Sequence, residues 1–297
     1  MKKLNNEETR AKMMLVLAML IFGTIGIFRR YIPLPSSMIA LVRGSVGMLF
    51  LLVWVTLKGE HISWQGVKRN ALVLILSGAF LGFNWILLFE AYQYTSVATA
   101  TLCYYMAPII VILVSPILLK ESLSIKKILC VVVALIGMFL VSDVMAVGIQ
   151  NVAEFKGILF GLGAAVFYAG VILLNKQIKE ISAYDKTIMQ LGISVIVLLP
   201  YTLLAENVTK MVFTPLGVMM LMVVSIVHTG IAYALYFGSM KNLKAQTIAL
   251  FSYIDPIVAI ILSAVVLKEE MSILGKIGAI LVLGATLMSE LPEKNAK

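Results

Sequence analysis

Apolar residues come along this chain in ten long blocks, each of about twenty residues or more, separated by short polar clusters. At about 1.5 Å of helical rise per residue, one such block crosses about 30 Å of hydrocarbon. The blocks fall near 13–32, 36–57, 70–93, 95–119, 124–142, 157–178, 184–205, 213–240, 244–267 and 272–290, and they predict ten transmembrane helices. The first block follows Lys2, Lys3, Arg10 and Lys12 in the manner of a signal peptide. No small-x-small cleavage site comes after it and Arg29-Arg30 is a poor neighbour for one, so it is expected to remain as a helix. The longest interval, Asp143 to Lys156, holds fourteen residues and leaves no room for a soluble domain.

One stretch is written twice. YYMAPIIVILVSPILLKE, Tyr104 to Glu121, returns without a gap as SYIDPIVAIILSAVVLKE, Ser252 to Glu269, at a constant offset of 148. Phe89/Phe237, Thr99/Thr247, Tyr105/Tyr253, Pro108/Pro256, Ser115/Ser263, Lys120/Lys268 and Glu121/Glu269 are identical across that offset. The chain therefore reads as a tandem repeat. Repeats at 13–143 and 157–290 are joined by a linker at 144–156, with tails at 1–12 and 291–297. Each copy carries a proline inside its fourth apolar block, a central weak point at Pro108 and Pro256.

Composition removes the soluble alternatives. With 61% hydrophobic residues, 13% charged residues and a mean hydropathy of +1.01, a soluble globule of 297 residues would expose too much apolar surface. The net charge of +9 suggests nucleic acid at first sight, but the cations lie between apolar blocks and form no stripe interleaved with aromatics. Their distribution instead sets orientation. With the N-terminus inside, the inner segments hold seventeen lysines and arginines and the outer ones six, with Arg43 alone inside a span. Both termini are thus expected to be cytoplasmic in the cell membrane. Five helices per repeat is an odd number, so the second repeat must lie upside down relative to the first. The predicted fold is an all-α integral membrane protein of ten helices in two inverted five-helix repeats, an architecture of transporters whose substrate site lies near the bilayer midplane. Cys103 and Cys130 sit within apolar runs, and no His/Cys cluster exists, so neither a metal site nor a cofactor is expected.

The Phe22-Gly23 pair, Arg43 in ALVRGSVG, the Ala107-Pro108 and Asp255-Pro256 steps, and the Lys120-Glu121 and Lys268-Glu269 closures give the chain its likeness. It resembles ten-helix members of the drug/metabolite transporter superfamily that carry two EamA-type repeats, over about residues 13 to 290. The resemblance implies transport of a small organic metabolite, as similar proteins export amino acids, nucleosides or drugs. Gln190 stands near the place that matches Arg43, so the two halves are not chemically symmetric.

The intramembrane polar residues are the candidate site. Asp255 lies about eleven residues into its span, roughly 16 Å deep. A charge there must face a partner, the interior or a water-filled cavity, which makes it a proton or cation site or else an internal hydrogen-bonding tie. At about 100° per residue Ser252 shares its face, whereas Tyr253 points elsewhere. Across the repeat Tyr104 matches Ser252 and should face the same cavity, while Tyr105 and Tyr253 read as packing residues. Pro108 and Pro256 each free a carbonyl, either to bend the helix or to offer an acceptor to substrate. In the eighth span Ser225, His228, Tyr236 and Ser239 form a polar stripe, with His228 readable as a pH-responsive group or a satisfied core donor. Arg43 and Glu90 lie at comparable depth and are expected to form an ion pair, structural or gating. Trp85 and Tyr233, matched by the repeat, line a cavity or pack at an interface.

Three function classes remain. A secondary transporter accounts for the inverted repeat, the prolines and the few buried charges together. An intramembrane enzyme would need a nucleophile or metal constellation, and neither G-x-S-x-G nor H-E-x-x-H occurs. A channel would need a continuous polar pore. No ATP-binding loop is present, so uphill work would draw on an ion gradient. The expected partners are a small-molecule substrate, a proton or other ion, and the lipid bilayer, not nucleic acid. The expected activity is export or facilitated diffusion by alternating access, with proton-coupled cation or multidrug efflux as the alternative. The chain is expected to work as a monomer or homodimer.

Overall fold

The computed structural model of the chain describes residues 2–95, 100, 103–141, 152–266 and 273–291. The linker residues 144–151, the Lys268-Glu269 closure and the tail from 292 lie outside them.

Every regular element among the described residues is a helix. The first half comprises α1 (Lys2–Arg29), α2 (Ser36–Leu57), the short α3 (Trp64–Arg69), α4 (Ala71–Tyr94), α5 (Ala107–Leu119) and α6 (Ile125–Val141). The second comprises α7 (Val152–Asn175), α8 (Ala183–Ala205), α9 (Pro215–Ser225), a π-helical turn (Ile226–Ile231), α10 (Ala232–Ser239), α11 (Ala245–Phe251), α12 (Ile254–Val266) and α13 (Ile273–Glu290). Helix starts follow local chemistry. Ser182 Oγ accepts from Asp185 N–H at the start of α8. Thr214 Oγ1 accepts from Gly217 N–H at the start of α9, where Pro215 occupies the first-turn position that needs no donor.

Among the described residues, six helices are long and apolar enough to cross a membrane, one of them the continuous rod Pro215–Asn242. Shorter apolar helices accompany them. Leu57, Ile117, Leu204 and Ile280 are 71–89% exposed on the outside of the bundle, the surface a lipid environment would cover.

The fourth and ninth spans differ from expectation. Each was expected to be continuous, over 95–119 and 244–267, and each is broken halfway. The chain turns at Tyr105–Met106 before α5 and at Ser252–Tyr253 between α11 and α12. The prolines explain the position of the breaks. Pro108 and Pro256 fall in the first turn of the helix that follows each one, where the missing N–H costs nothing, whereas mid-helix they would remove a bond and clash with the preceding turn.

Packing follows the repeat. α7 lies on α4 and α5, as α1 lies on α10 and α12; α4 lies on α8, as α2 lies on α9 and the π-helical turn; α2 pairs with α8, and α6 with α13. Adding 148 to the first-half member and subtracting 148 from the second-half member turns each contact into its counterpart. The halves run in opposite directions, since Glu7, Glu8 and Lys12 at the start of α1 share a concavity with Lys176 at the end of α7. That end of the bundle, where Lys127, Lys241 and Lys244 also gather, is the lysine-rich end below. Close approach of α4 to α8 depends on Gly78 and Gly82: a Cβ on either would meet Ile193 Cβ or Val197 Cβ at 2.8 Å.

Candidate substrate cavity

A cavity of about 340 Å³ lies between α1, α2, α4, α7 and α10, where both broken spans reach the interior. Its rim, away from the lysine-rich end, is set by Arg29, Ile32, Ser36 and Tyr92. Arg29 is anchored there by donating to the Ile32 and Leu34 carbonyls at 2.8 and 3.1 Å. Aromatic rings make most of the wall. Tyr104 stacks on Tyr168 at 5.2 Å between centroids, and the Tyr168 and Tyr236 hydroxyls lie 2.8 Å apart. Tyr233 sits edge-on to Phe22 at 5.1 Å and to Trp85 at 6.1 Å.

Besides Arg29 at the rim, two charged groups interrupt this apolar wall, Arg43 and Asp255. The Arg43 guanidinium lies 4.3 Å over the Trp85 ring, a geometry in which the ring face attracts the cation, and its Nε has no hydrogen-bond partner. Asp255 enters from the first turn of α12, an end of the helix that favours negative charge. Its Oδ1 accepts from the Tyr105 hydroxyl at 3.2 Å, and the Tyr253 hydroxyl donates to the Tyr105 carbonyl at 3.0 Å. These two bonds cross-link the breaks of the two repeats. α1 closes over them because residue 23 is glycine: a Cβ there would stand 2.7 Å from the Asp255 carbonyl oxygen and 2.6 Å from Val258 Cβ. One turn on, Gly26 lines the cavity and a Cβ there would meet nothing within 4 Å.

Toward the lysine-rich end the cavity is sealed. Phe237, Ile248, Ala249 and Leu250, all at 0% exposure, fall along the chain between the cavity residues Tyr236 and Asp255 and the concavity residues Lys241 and Thr247. Beneath them Glu121 accepts from the Ala245 N–H at 2.8 Å and the Gln246 N–H at 3.4 Å, satisfying free donors at the start of α11. The Gln246 side chain donates to Ser115 Oγ at 3.0 Å and accepts from Lys127 Nζ at 2.9 Å. Lys186 Nζ donates to the Phe237 carbonyl at 2.7 Å.

A bundle of inverted repeats around a central cavity is the shape of a carrier, and the sequence comparison agrees with it. The EamA-like transporter family matches residues 9–143 and again 155–290. The chain belongs to the EamA-like transporter family. Within the drug/metabolite transporter superfamily its relatives include YxxF of Bacillus subtilis (strain 168), called an uncharacterized transporter, which is 32% identical over 265 residues covering 88% of this chain and 83% of the relative. An uncharacterized transporter of Archaeoglobus fulgidus is 27% identical over 277 residues, 93% of this chain and 94% of the relative. A solved crystal structure superposes with a TM-score of 0.82 at 17% identity, covering 94% of this chain and 97% of that one, a likeness of fold. The chain is thus a multi-pass membrane transporter of a small molecule.

Within this EamA-like fold the cavity gathers Asp255, Tyr104, Tyr236, Trp85, Tyr233 and Arg43 from the sequence candidates. Others stand apart. Arg43 and Glu90 form no ion pair: Glu90 accepts from the Tyr201 hydroxyl at 2.6 Å, while Arg43 stays on Trp85. Ser252 does not line the cavity, because the break falls on it and its hydroxyl turns back to the Ile248 carbonyl at 2.9 Å. His228 also lies off the cavity, with Nε2 2.8 Å from Thr24 Oγ1 and its ring 4.9 Å from Phe28. The π-helical turn explains this. It fits more residues into its turn than an α-helix does, so the 100° count that aligned His228 with Tyr236 does not hold across it. Pro108 and Pro256 are buried at the breaks.

Tyr105, expected to pack, instead partners Asp255, and Tyr168 is a cavity residue that the sequence did not single out. Repeat symmetry could not find Tyr168, because Leu20 stands at its counterpart.

Proposed function

We propose that the chain is a secondary transporter for a small zwitterionic metabolite, an amino acid or a close analogue with an apolar or aromatic body. One observation carries this reading. A guanidinium with an unpaired Nε and a carboxylate line the same aromatic cavity without pairing with each other, leaving Arg43 for a substrate carboxylate and Asp255 for its ammonium. A volume of about 340 Å³ sits at the small end of the roughly 300–1,000 Å³ common for ligand pockets, which favours a small metabolite over a bulky drug.

The lysine excess supports a reading in which the lysine-rich end and both termini face the cytoplasm across the cell membrane. The cavity is then closed to the cytoplasm and faces outward. Its inverted counterpart state, with the roles of the repeats exchanged, would face inward, which gives alternating access and supports export or facilitated diffusion. A second reading, proton-coupled efflux of an organic cation, draws on Asp255 as the one carboxylate among the described residues on the cavity wall.

Counterflow in proteoliposomes separates the two. Radiolabelled aromatic and aliphatic amino acids, a nucleoside and a quaternary ammonium dye are offered to the purified protein. Exchange of an amino acid that fails for its decarboxylated amine supports the zwitterion. Exchange of the amine and dye alone favours the cation reading and refutes the role given to Arg43.

A further inference from the structure

A second concavity, of about 570 Å³, opens at the lysine-rich end. It shares no lining residue with the aromatic cavity. Lys12 of α1, Lys127 of α6, Lys176 after α7, and Lys241 and Lys244 between α10 and α11 converge on it from four distant parts of the chain. Among the described residues the carboxylates lining it are Glu7 and Glu8, Glu8 being engaged by Lys12 at 3.0 Å, and Glu121 beneath the wall acts on Lys176. Lys241 and Lys244 are exposed and have no acidic partner among the described residues.

Orientation in a membrane asks for cations on the inner loops, not for their convergence around one hollow. Ammonium groups crowded together repel, and an anion seated among them relieves that repulsion. Two of the five are held in place: Lys176 Nζ donates to the Met240 carbonyl at 3.0 Å and to the Leu243 carbonyl, and Lys127 Nζ to Gln246 at 2.9 Å. The walls are therefore fixed, while Lys241 and Lys244 remain to close on a ligand. No arginine lines the hollow, so the planar fork suited to a carboxylate is missing. Several point-like ammoniums arranged around a volume suit instead the oxygens of a phosphate.

We propose that this hollow binds a phosphate group at the membrane surface, either the headgroup of an anionic phospholipid or a soluble phosphate. The hollow lies at the helix ends, where headgroups sit. Occupancy would tie α1, α6 and α7 to the connection that Glu121 and Gln246 already hold, and so keep this end of the bundle shut.

The test uses the full chain in nanodiscs, with unfolding temperature and native mass spectrometry as readouts. Discs of phosphatidylcholine alone are compared with discs containing phosphatidylglycerol, and with phosphatidylcholine discs to which inorganic pyrophosphate is added. A ligand bound only by the folded state raises the unfolding temperature. Wild type should gain several degrees from one of the two phosphate sources, with retained lipid or pyrophosphate seen by mass. Lys241→Gln/Lys244→Gln should lose at least half of that gain. Lys68→Gln, a change at an exposed lysine outside the hollow, should keep it. Both glutamine positions are exposed, and an unchanged unfolding temperature in phosphatidylcholine alone verifies that the double variant is folded. Gain from phosphatidylglycerol only identifies the lipid, and gain from pyrophosphate only identifies the soluble ligand. No gain from either, a full gain in the double variant, or an equal loss in Lys68→Gln overturns the site.

Discussion

The Tyr105 hydroxyl donates to Asp255 Oδ1 across 3.2 Å, so the first repeat supplies the hydrogen bond for a charge that only the second repeat carries. A hydrogen bond to a charged group contributes about 1.5–3 kcal/mol. Tyr105→Phe should leave a folded protein whose transport falls by about tenfold or more, since about 1.4 kcal/mol is a factor of ten. Asp255→Asn keeps the shape and removes the titration, and it should abolish transport or its pH dependence. Proteoliposome flux measured on both sides of neutrality decides this. An unchanged pH profile in Asp255→Asn would reduce the residue to a structural tie.

Gly23 and Gly26 give opposite expectations for the same substitution. Gly23→Ala drives a methyl to 2.6 Å from Val258 Cβ and 2.7 Å from a backbone oxygen, so stability should drop by about 1–3 kcal/mol. Gly26→Ala meets nothing within 4 Å and should fold like wild type, but its methyl enters the cavity. Unfolding temperature should separate the two, and the apparent KM should rise for Gly26→Ala.

Arg43→Lys retains the charge and loses the plane that lies on Trp85. If Arg43 receives a substrate carboxylate, KM should rise at least tenfold for a carboxylate-bearing substrate and change little for its amine. Equal effects on both substrates would assign Arg43 to packing alone.

Glu121 holds the start of α11 through two backbone N–H groups. Glu121→Gln weakens charge-assisted bonds by about 1–2 kcal/mol and should loosen the lysine-rich end. A cysteine at Ala249, fully buried in this state, reports the change. Its maleimide labelling in the Glu121→Gln background should accelerate about tenfold, and an unaltered rate would show that the seal does not depend on this carboxylate.

Orientation is open to a direct check. A cysteine at Ser122, at the lysine-rich end, should react with an impermeant reagent only from the cytoplasm, and one at Thr209, at the opposite end, only from outside. Labelling of both from one side of the membrane would contradict the inverted arrangement.

Much of the fold was legible because bilayer thickness sets a length and the repeat sets a register, and both are written in the chain as apolar blocks and as the offset between Pro108 and Pro256. Asp255 stood out for a similar reason, as a charge where few are tolerated. What eluded the sequence depends on departures from a regular helix. Ser252 was placed on the cavity by assuming an unbroken span, and His228 by assuming an unbroken α-helical phase; a break and a π-helical turn undo each assumption. Arg43 and Glu90 share a depth, but depth does not fix azimuth, and each found another partner. Tyr168 carries no distinguishing mark in a chain with eleven tyrosines until its neighbours are known.

The two bonds between the broken spans also bear on how such a gene came to be one reading frame. An antiparallel pair built from two copies of the first half would place Ala107 wherever Asp255 now stands, and the Tyr105 hydroxyl would find no acceptor there. A pair built from the second half would bring a second carboxylate into position 107, with the counterpart of Tyr253 standing where Tyr105 now donates. In the mixed pair one tyrosine hydroxyl meets one carboxylate. Covalent joining means that each carboxylate-bearing half is made together with the half whose Tyr105 donates to it.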